Sequence, residues 1–263
     1  PSKYVQGENE LLNLGYFVRQ YGTKALLVAT ESSVNRVRQT LEATAAKFGV
    51  TFVETEFQGE CSRVEIARLG ELARQHSCHC TVGLGGGKAL DTARCVAAGQ
   101  GVIVVPTTAA TDAPTSHSAV IYTPDGEMED YAYFPRNPDV VLMDVSIIAA
   151  SPVRYLVSGM GDALSTYFEA RANVRSCAPV NAGLPCGART GDCPPARGTL
   201  AAQALAATCY RTLLDDGYKA VLACQAKMAT PALENIIEAN SLLSGLGFES
   251  GGLAAAHAVH DGL

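Results

Sequence analysis

Two histidines, His257 and His260, lie one helical turn apart in a segment of small residues, 248–263, which the sequence predicts to be a helix, and they could hold a metal ion. Side chains three positions apart share one face of a helix, and neutral imidazole is a common ligand of Zn²⁺ and Fe²⁺. Histidines at this spacing also occur as ordinary core or capping residues. The spacing alone therefore leaves both interpretations open.

Two aspartates are candidates for related chemistry. Asp162 follows Gly-Met-Gly, so the residue types favour a helix cap, but its carboxylate could instead ligate a metal together with His257. Asp112 lies in a loop rich in hydroxyl groups, residues 106–118, directly after an apolar run. Such loops bind ligands where they follow parallel strands, although a polar loop with Asx turns is the alternative.

A glycine-rich loop, Gly85-Gly86-Gly87-Lys88, stands between an apolar run and a helical pattern. Glycines let the backbone approach a pyrophosphate, and the N–H groups at a helix start attract anions. The spacing matches neither the GxGxxG fingerprint nor the Walker A motif, because Lys88 stands where the last glycine of the fingerprint belongs. A tight turn remains the alternative, but the flanking strand and helix favour phosphate binding.

The elements that must position these groups alternate along the first part of the chain. Short apolar runs predict buried parallel strands at residues 25–30, 81–84 and 102–105. Helical patterns at 34–48 and 63–75 separate them. We therefore predict an α/β, Rossmann-like parallel-sheet domain over residues 1–150.

Residues 151–263 are predicted to form an all-helical domain, incomplete in this sequence. Thr230 is a candidate N-cap with Pro231 at the first helical position, and Gly245 is predicted to end that helix. Its apolar stripe comprises Leu233, Ile236, Ile237 and Leu243. Residues 176–198, with three cysteines and four prolines, are predicted to be an irregular surface loop.

Composition excludes several classes of protein. The chain has 263 residues, 48% of them apolar, and a net charge of −6 without a basic cluster, which argues against a nucleic-acid surface. No apolar run is long enough to cross a membrane, and no secretory signal is recognisable, so we expect a cytoplasmic protein without membrane partners. Nine cysteines without a CxxC pair predict buried thiols rather than a disulfide framework.

Together these motifs resemble the metal-dependent group III alcohol dehydrogenases, and within them the glycerol dehydrogenases. The resemblance covers nearly the whole chain. It rests on five segments that occur in the family order: Gly85-Gly86-Gly87-Lys88 with Asp91-Thr92-Ala93, Pro106-Thr107 to Thr111-Asp112-Ala113-Pro114, Gly161-Asp162-Ala163-Leu164, Thr230-Pro231-Ala232-Leu233-Glu234, and residues 247–260.

The resemblance implies oxidation of a secondary hydroxyl of glycerol, or of a similar small polyol, to a ketone, with NAD as hydride acceptor and Zn²⁺ favoured over Fe²⁺. It implies that residues 1–150 bind the dinucleotide and that residues 151–263 bind the metal and the substrate. It further implies that Asp162 and His257 are metal ligands, that Asp112 binds the substrate, and that the chain forms homo-oligomers. His260 is not a ligand by that pattern, and we consider it a possible proton relay. The implied cofactor contacts are Gly85, Gly86, Gly87, Lys88, Thr107, Ser116, Ser118 and Tyr122.

The chain departs from the family pattern at two places that bear on function. The second histidine ligand of the family would lie beyond Leu263, so we expect a C-terminally truncated chain that holds Zn²⁺ poorly and has impaired activity. Thr30 occupies the place of an aspartate that meets the adenine ribose. The loss of this aspartate weakens discrimination against NADP. Glu31 is the next residue and could take its role, so we expect NAD as the cofactor.

Two alternatives remain open at this point. A relative resembling glycerol-1-phosphate dehydrogenase or dehydroquinate synthase would need a basic cluster for substrate phosphate, and none stands near Asp112 or Asp162 in the sequence. A truncated, catalytically impaired product could still bind dinucleotide or serve only in assembly. Cofactor binding without glycerol-dependent turnover would distinguish this second alternative from an active dehydrogenase.

Overall fold

The structure, a computed structural model, describes residues 1–97, 99–180 and 196–261, with residues 260 and 261 described without their side chains. Two compact units are present: Pro1–Thr108 with His117–Ser151, and Ala109–Ser116 with Pro152–Leu263. The segment Ala109–Ser116 therefore packs with the helical unit, although it follows a strand of the α/β unit. The domain boundaries of 1–150 and 151–263 remain our prediction from the sequence.

A six-stranded parallel sheet forms the centre of the α/β unit. Its strands lie in the order β1-β8-β5-β4-β2-β3. The strands of this sheet are β1 (Lys3–Gly7), β2 (Lys24–Ala29), β3 (Thr51–Glu56), β4 (Cys80–Gly85), β5 (Gly101–Pro106) and β8 (Val140–Asp144), and a separate antiparallel pair comprises β6 (Ser118–Tyr122) and β7 (Met128–Tyr133). The three apolar runs predicted to be strands correspond to β2, β4 and β5, all nearly fully buried.

Helices connect the strands as the sequence predicts. Those of the α/β unit are α1 (Leu14–Arg19), α2 (Glu31–Phe48), α3 (Arg63–Gln75), α4 (Gly87–Ala97) and α5 (Val145–Ala149). The side chains of Thr30 and Ser62 cap α2 and α3 by accepting from the backbone N–H groups of Ser33 and Glu65. The Rossmann-like parallel sheet with intervening helices is therefore confirmed.

The order of the strands places three loops at one edge of the sheet. After β2 the chain moves outward to β3, whereas after β4 it moves the other way to β5. Ala29 pairs with Leu84, and Gly85 pairs with Pro106, so the loops that begin at Thr30, Gly86 and Thr107 are neighbours. Such a reversal at the carboxyl ends of parallel strands is where α/β sheets bind ligands.

The second unit is built of helices, and its elements are α6 (Val153–Ser176), α7 (Leu200–Gln225), α8 (Pro231–Glu238), a π-helical segment (Ala239–Leu243), α9 (Ser244–Gly251) and α10 (Ala255–Asp261). Thr230 caps α8 with Pro231 at its first position, as predicted. Leu233, Ile236 and Ile237 of the predicted stripe are fully buried. The all-helical prediction is confirmed for the part of this unit that the structure describes.

Three local predictions are wrong. Gly245 does not end a helix, because the chain passes through the π-helical segment into α9; a Cβ at Gly245 would lie 1.8 Å from Thr115 Oγ1, so glycine is needed there for close packing. Asp162 is not a helix cap but lies inside α6. The closing segment is not one helix, since Gly252 separates α9 from α10.

The irregular segment after α6 begins one residue later than predicted, because Ser176 is the last residue of that helix. At its base Val180 N–H donates to Ala196 O at 2.8 Å. Residues 181–195, with Cys186 and Cys193, lie outside the described residues. No disulfide joins the cysteines that the structure describes, and none of the described helices is long and apolar enough to cross a membrane.

Two glycines of α6 provide a test of the packing around the site. A Cβ at Gly159 would lie 2.0 Å from Ala109 O, whereas a Cβ at Gly161 would meet nothing within 4 Å. We expect Gly159→Ala to lower the free energy of unfolding by about 1–3 kcal/mol, because it overpacks a closed contact. Gly161→Ala is the matched control and should raise it by about 0.5–1 kcal/mol. Urea unfolding of the two variants measures both effects; equal stabilities would contradict the close approach at Gly159.

Candidate functional site

The imidazole of His257 lies between two carboxylates of one helix. Glu169 Oε2 is 2.6 Å from Nδ1 of the ring, and Asp162 Oδ1 is 3.4 Å from Nε2. Because Asp162 and Glu169 are seven residues apart, they lie on the same face of α6, two turns from each other. The predicted ligands Asp162 and His257 are thus brought together, although 95 positions separate them in the sequence.

Hydrogen bonds determine the charge of these groups. Hydrogen bonds that the His257 ring donates to Asp162 and Glu169 raise the pKa of His257 to about 10 in the metal-free protein, against the opposing effect of burial. For Glu169, burial acts to raise the pKa. The hydrogen bonds that it accepts from the His257 ring, from His257 N–H and from Ala254 N–H outweigh burial, so the pKa of Glu169 is lowered. Glu169 is therefore an ionised acceptor, although it is only 3% exposed.

The segment that carries Asp112 approaches α6 closely. Asp112 N–H donates to Asp162 Oδ2 at 3.2 Å, which leaves Oδ1 facing His257. Gly159 permits this approach, because it has no side chain where Ala109 O passes. Asn240 Nδ2 holds the same carbonyl at 2.9 Å. The backbone of the 109–116 segment thus orients the carboxylate of Asp162.

The carboxylate of Asp112 is buried rather than open. Ser244 Oγ donates to Asp112 Oδ2 at 2.6 Å, and the residue is 6% exposed. Burial and the charge of Asp162 raise the pKa of Asp112 to about 8, while the hydrogen bond from Ser244 and the charge of His257 oppose the rise. Ser244 thus already occupies one oxygen of Asp112. The role of Asp112 in binding substrate remains a prediction.

A π-helical segment contributes contacts that sequence reasoning missed. Thr115 Oγ1 donates to Ser241 O, within this segment, at 2.8 Å, and Thr166 and Ser244 share a hydrogen bond of 2.8 Å. Single turns of π-helix are frequent at functional sites because they shift side chains relative to an α-helix. No pattern in the sequence signals it, whereas Glu169 could have been found from its seven-residue spacing to Asp162.

An open cavity of about 400 Å³ lies beside the Asp162–His257 pair. Its lining has three hydroxyl groups, one carboxylate and one imidazole among small residues, and the lining residues are Ala110, Thr111, Ser158, Gly161, Asp162, Ser165, Ala256 and His257. None of these lining residues is a lysine or an arginine. The cavity is therefore suited to a small ligand with several hydroxyl groups, and its lining offers no lysine or arginine to pair with a phosphate.

The pair fits two ligands of one metal ion. Two ligand atoms of a tetrahedral zinc site, with bonds of about 2.0–2.2 Å, are separated by about 3.3–3.5 Å. The 3.4 Å between His257 Nε2 and Asp162 Oδ1 has this value and is longer than an ordinary charge-assisted hydrogen bond of about 2.7–2.9 Å. No group of three or more potential ligands is present among the described residues. The described side chains thus supply two ligands.

The glycine-rich loop joins β4 to α4 as predicted. A Cβ at Gly86 or Gly87 would meet nothing within 4 Å, so the loop has open space beside it. Lys88 Nζ is 2.5 Å from Glu60 Oε1 and lies 4.8 Å from the ring centroid of Tyr122. The structure brings Lys88 and Tyr122 together, and Glu60 is a partner of Lys88 that the sequence did not suggest.

A smaller cavity of about 210 Å³ lies where β2 and β3 end. Its charged lining residues are Glu31, Glu54, Glu56 and Arg38. Arg38 is engaged, because its guanidinium lies 3.3 Å from Glu54 Oε2. Acidic groups therefore predominate at this end of the sheet.

The remaining predicted site residues lie in different parts of the structure. Thr107 N–H donates to Gly85 O at 3.0 Å, and Ser118 and Tyr122 are the first and last residues of β6. Ser116, in the other unit, donates its hydroxyl to Ala113 O at 3.1 Å. The side chain of His260 lies outside the described residues. Their roles toward a cofactor or a proton stay predictions.

The family of the chain follows from its similarity to known proteins. A family model described as iron-containing alcohol dehydrogenase matches residues 1–145. A glycerol dehydrogenase from Pseudomonas putida is 47% identical over 265 aligned positions, which cover 100% of this chain and 69% of that protein. The chain belongs to the iron-containing alcohol dehydrogenase family. It is thus a member of a family of oxidoreductases.

Solved structures of the iron-containing alcohol dehydrogenases share this fold. A probable glycerol dehydrogenase from Sinorhizobium meliloti is 41% identical, with a TM-score of 0.85, and the match covers 100% of this chain and 69% of that one. Glycerol dehydrogenase from Schizosaccharomyces pombe is 37% identical, with a TM-score of 0.89 and coverage of 100% and 64%. These matches agree with the resemblance inferred from the five sequence segments.

Removing the hydroxyl of Ser244 in this iron-containing alcohol dehydrogenase tests the buried contact of Asp112. We expect Ser244→Ala to lower the free energy of unfolding by about 1–3 kcal/mol, because the buried carboxyl group of Asp112 loses a hydrogen-bond partner. Ser176→Ala is the control: its hydroxyl caps an exposed carbonyl at the end of α6, and the effect should stay within about 0.5 kcal/mol. Denaturant unfolding curves measure the stability of both variants. An unchanged free energy of unfolding in Ser244→Ala would contradict the hydrogen bond between Ser244 and Asp112.

Proposed function

We propose that this chain oxidises the secondary hydroxyl of glycerol, or of a similar small polyol, to dihydroxyacetone or the corresponding ketone, with transfer of hydride to NAD. The observation that carries the proposal is the Asp162–His257 pair, separated by 3.4 Å and lining an open cavity. The chain's similarity to proteins named glycerol dehydrogenase supports the choice of substrate.

The residues around the pair supply the binding chemistry. Zn²⁺ held by Asp162 and His257 would act as a Lewis acid that makes a substrate hydroxyl easier to deprotonate. The hydroxyl groups of Thr111, Ser158 and Ser165 line the same cavity and can exchange hydrogen bonds with a polyol. Because the carboxylate of Asp162 is oriented by Asp112 N–H, it needs no rearrangement to present Oδ1.

The lining of this cavity favours a neutral substrate over a phosphorylated one. Enzymes that act on sugar phosphates or glycerol phosphates hold the phosphate with arginine or lysine. The described residues that line the cavity include neither. This supports a polyol over the substrates of a glycerol-1-phosphate dehydrogenase or a dehydroquinate synthase, the alternatives that the sequence left open.

The features of the α/β unit at the carboxyl ends of its strands favour the binding of a dinucleotide. The loops at Thr30, Gly86 and Thr107 adjoin there, and the open glycine-rich loop precedes the start of α4, where backbone N–H groups favour a pyrophosphate. Lys88, beside Tyr122, would neutralise phosphate charge once released from Glu60. We propose NAD rather than NADP, because Glu31, Glu54 and Glu56 would repel a 2′-phosphate.

Replacing Asp162 tests the metal and the reaction together. We expect glycerol-dependent NADH formation with added Zn²⁺, and a loss of kcat/KM of more than about 100-fold in Asp162→Asn, since even outer-shell partners are worth about 10–100-fold. Asp215→Asn, an exposed carboxylate of α7, is the matched control and should retain activity. NADH fluorescence enhancement without any turnover in the unaltered chain would favour a product that only binds dinucleotide.

Replacing Glu31 tests the choice of nucleotide. We expect the unaltered chain to bind NADH more tightly than NADPH, and Glu31→Gln to narrow the ratio by about 5-fold, which corresponds to about 1 kcal/mol for one charge near the surface. Glu42→Gln, exposed on the same helix α2 and absent from the cavity lining, is the matched control. Fluorescence titrations with both nucleotides measure the ratio, and an unchanged ratio in Glu31→Gln would contradict the assignment.

A further inference from the structure

Both carboxylate oxygens of the buried Glu169 make hydrogen bonds to the segment that carries His257. Its Oε1 accepts hydrogen bonds from Ala254 N–H at 2.9 Å and from His257 N–H at 3.1 Å. Its Oε2 is 2.6 Å from Nδ1 of the His257 ring. The residue is 3% exposed, so these partners take the place of the water that a buried carboxylate would otherwise need.

We infer that Glu169 is a positioning residue that keeps a proton on Nδ1 of His257 and turns Nε2 toward Asp162. This inference rests on the metal site proposed above. An ionised carboxylate can only accept hydrogen bonds, so the ring nitrogen facing it must carry the hydrogen. In the metal-free protein the ring can carry a second proton, on Nε2 facing Asp162. When a metal displaces that proton, the neutral imidazole keeps its one N–H on Nδ1, and its lone pair lies on Nε2, where a metal ligand requires it.

The contacts of Glu169 distinguish orienting the His257 ring from merely holding the backbone at the start of α10. The two bonds from backbone N–H groups hold the start of α10, and they would serve equally well without the bond to the ring. Asn173 anchors the same stretch of chain, since its Nδ2 donates to Gly251 O and Leu253 O, both at 3.1 Å. Asn173 has no contact of this kind with the imidazole, so it supplies the matched control.

The substitution Glu169→Gln changes which nitrogen of the His257 ring carries the hydrogen, while the side chain at position 169 keeps nearly the same size. If the amide oxygen keeps both backbone bonds, its NH₂ group faces Nδ1 of His257, which must then accept. The ring proton is transferred to Nε2, where it lies between the imidazole and Asp162 and blocks the metal position. If the amide turns the other way, the backbone N–H groups lose their acceptor instead.

Direct metal binding gives the first measurement. We expect Glu169→Gln to weaken Zn²⁺ binding by about 10–100-fold relative to the unaltered chain, measured by competition with a chromophoric chelator. Asn173→Ala should change the affinity by less than about 3-fold, because it affects only the anchoring of the segment. Circular dichroism and urea unfolding of both variants establish that each is folded. Equal weakening in both variants, or none in Glu169→Gln, would overturn the inference.

A second measurement needs no metal. In ¹H–¹⁵N spectra of the metal-free chain with labelled histidine, we expect a slowly exchanging proton on Nδ1 of His257, retained in Asn173→Ala and lost to rapid exchange in Glu169→Gln. Absence of this proton from the unaltered chain would overturn the role of Glu169. If the proton is present but the unaltered chain binds no Zn²⁺, the proposed metal site fails while the assigned orientation of the ring stands.

Discussion

The placement of one imidazole between two carboxylates of the same helix fixes the position of α10 against α6. Asp162 and Glu169 project from α6 two turns apart, and His257 spans them with its two ring nitrogens. This requires α10 to start where Glu169 accepts from its first N–H groups. The ring is thereby held before any metal binds, which reduces the reorganisation that binding would demand.

Bringing three carboxylates so close together costs free energy, and the surroundings offset it with donors. Burial and the charge of the neighbouring Asp162 raise the pKa of Asp112. Ser244 donates to one and the backbone of Asp112 to the other. Glycines at 159 and 245 make these contacts possible, because any side chain there would meet the 109–116 segment. Small residues in this unit therefore permit the close contacts of the candidate site.

The α/β unit depends on a different constraint, the reversal of strand order between β2 and β4. The reversal places Thr30, the glycine-rich loop and Thr107 side by side at one sheet edge. Most of this could be predicted, since buried parallel strands are continuous apolar runs and α3 has the predicted bounds. The partner of Lys88 could not, because Glu60 is 28 positions away and nothing local links the two.

The sequence by itself determined the elements that depend on neighbours in the chain. Apolar runs specified three strands, and Thr230 with Pro231 specified the start of α8 through local hydrogen bonding. The order of motifs, with Asp162 and His257 among them, indicated the family that the comparisons show. Local rules also misled, since a glycine in a helical pattern usually ends it, yet Gly245 lies inside α9.

Only the tertiary structure decided how the side chains of the site meet. The pairing of Glu169 with His257 and the burial of Asp112 under Ser244 join residues 88 and 132 positions apart, and the π-helical turn depends on packing between helices. Such contacts leave no local pattern, because a carboxylate has the same propensities in a chain whether it caps a helix or orients an imidazole. Burial and distance distinguish the two roles, and those exist only once the chain has folded.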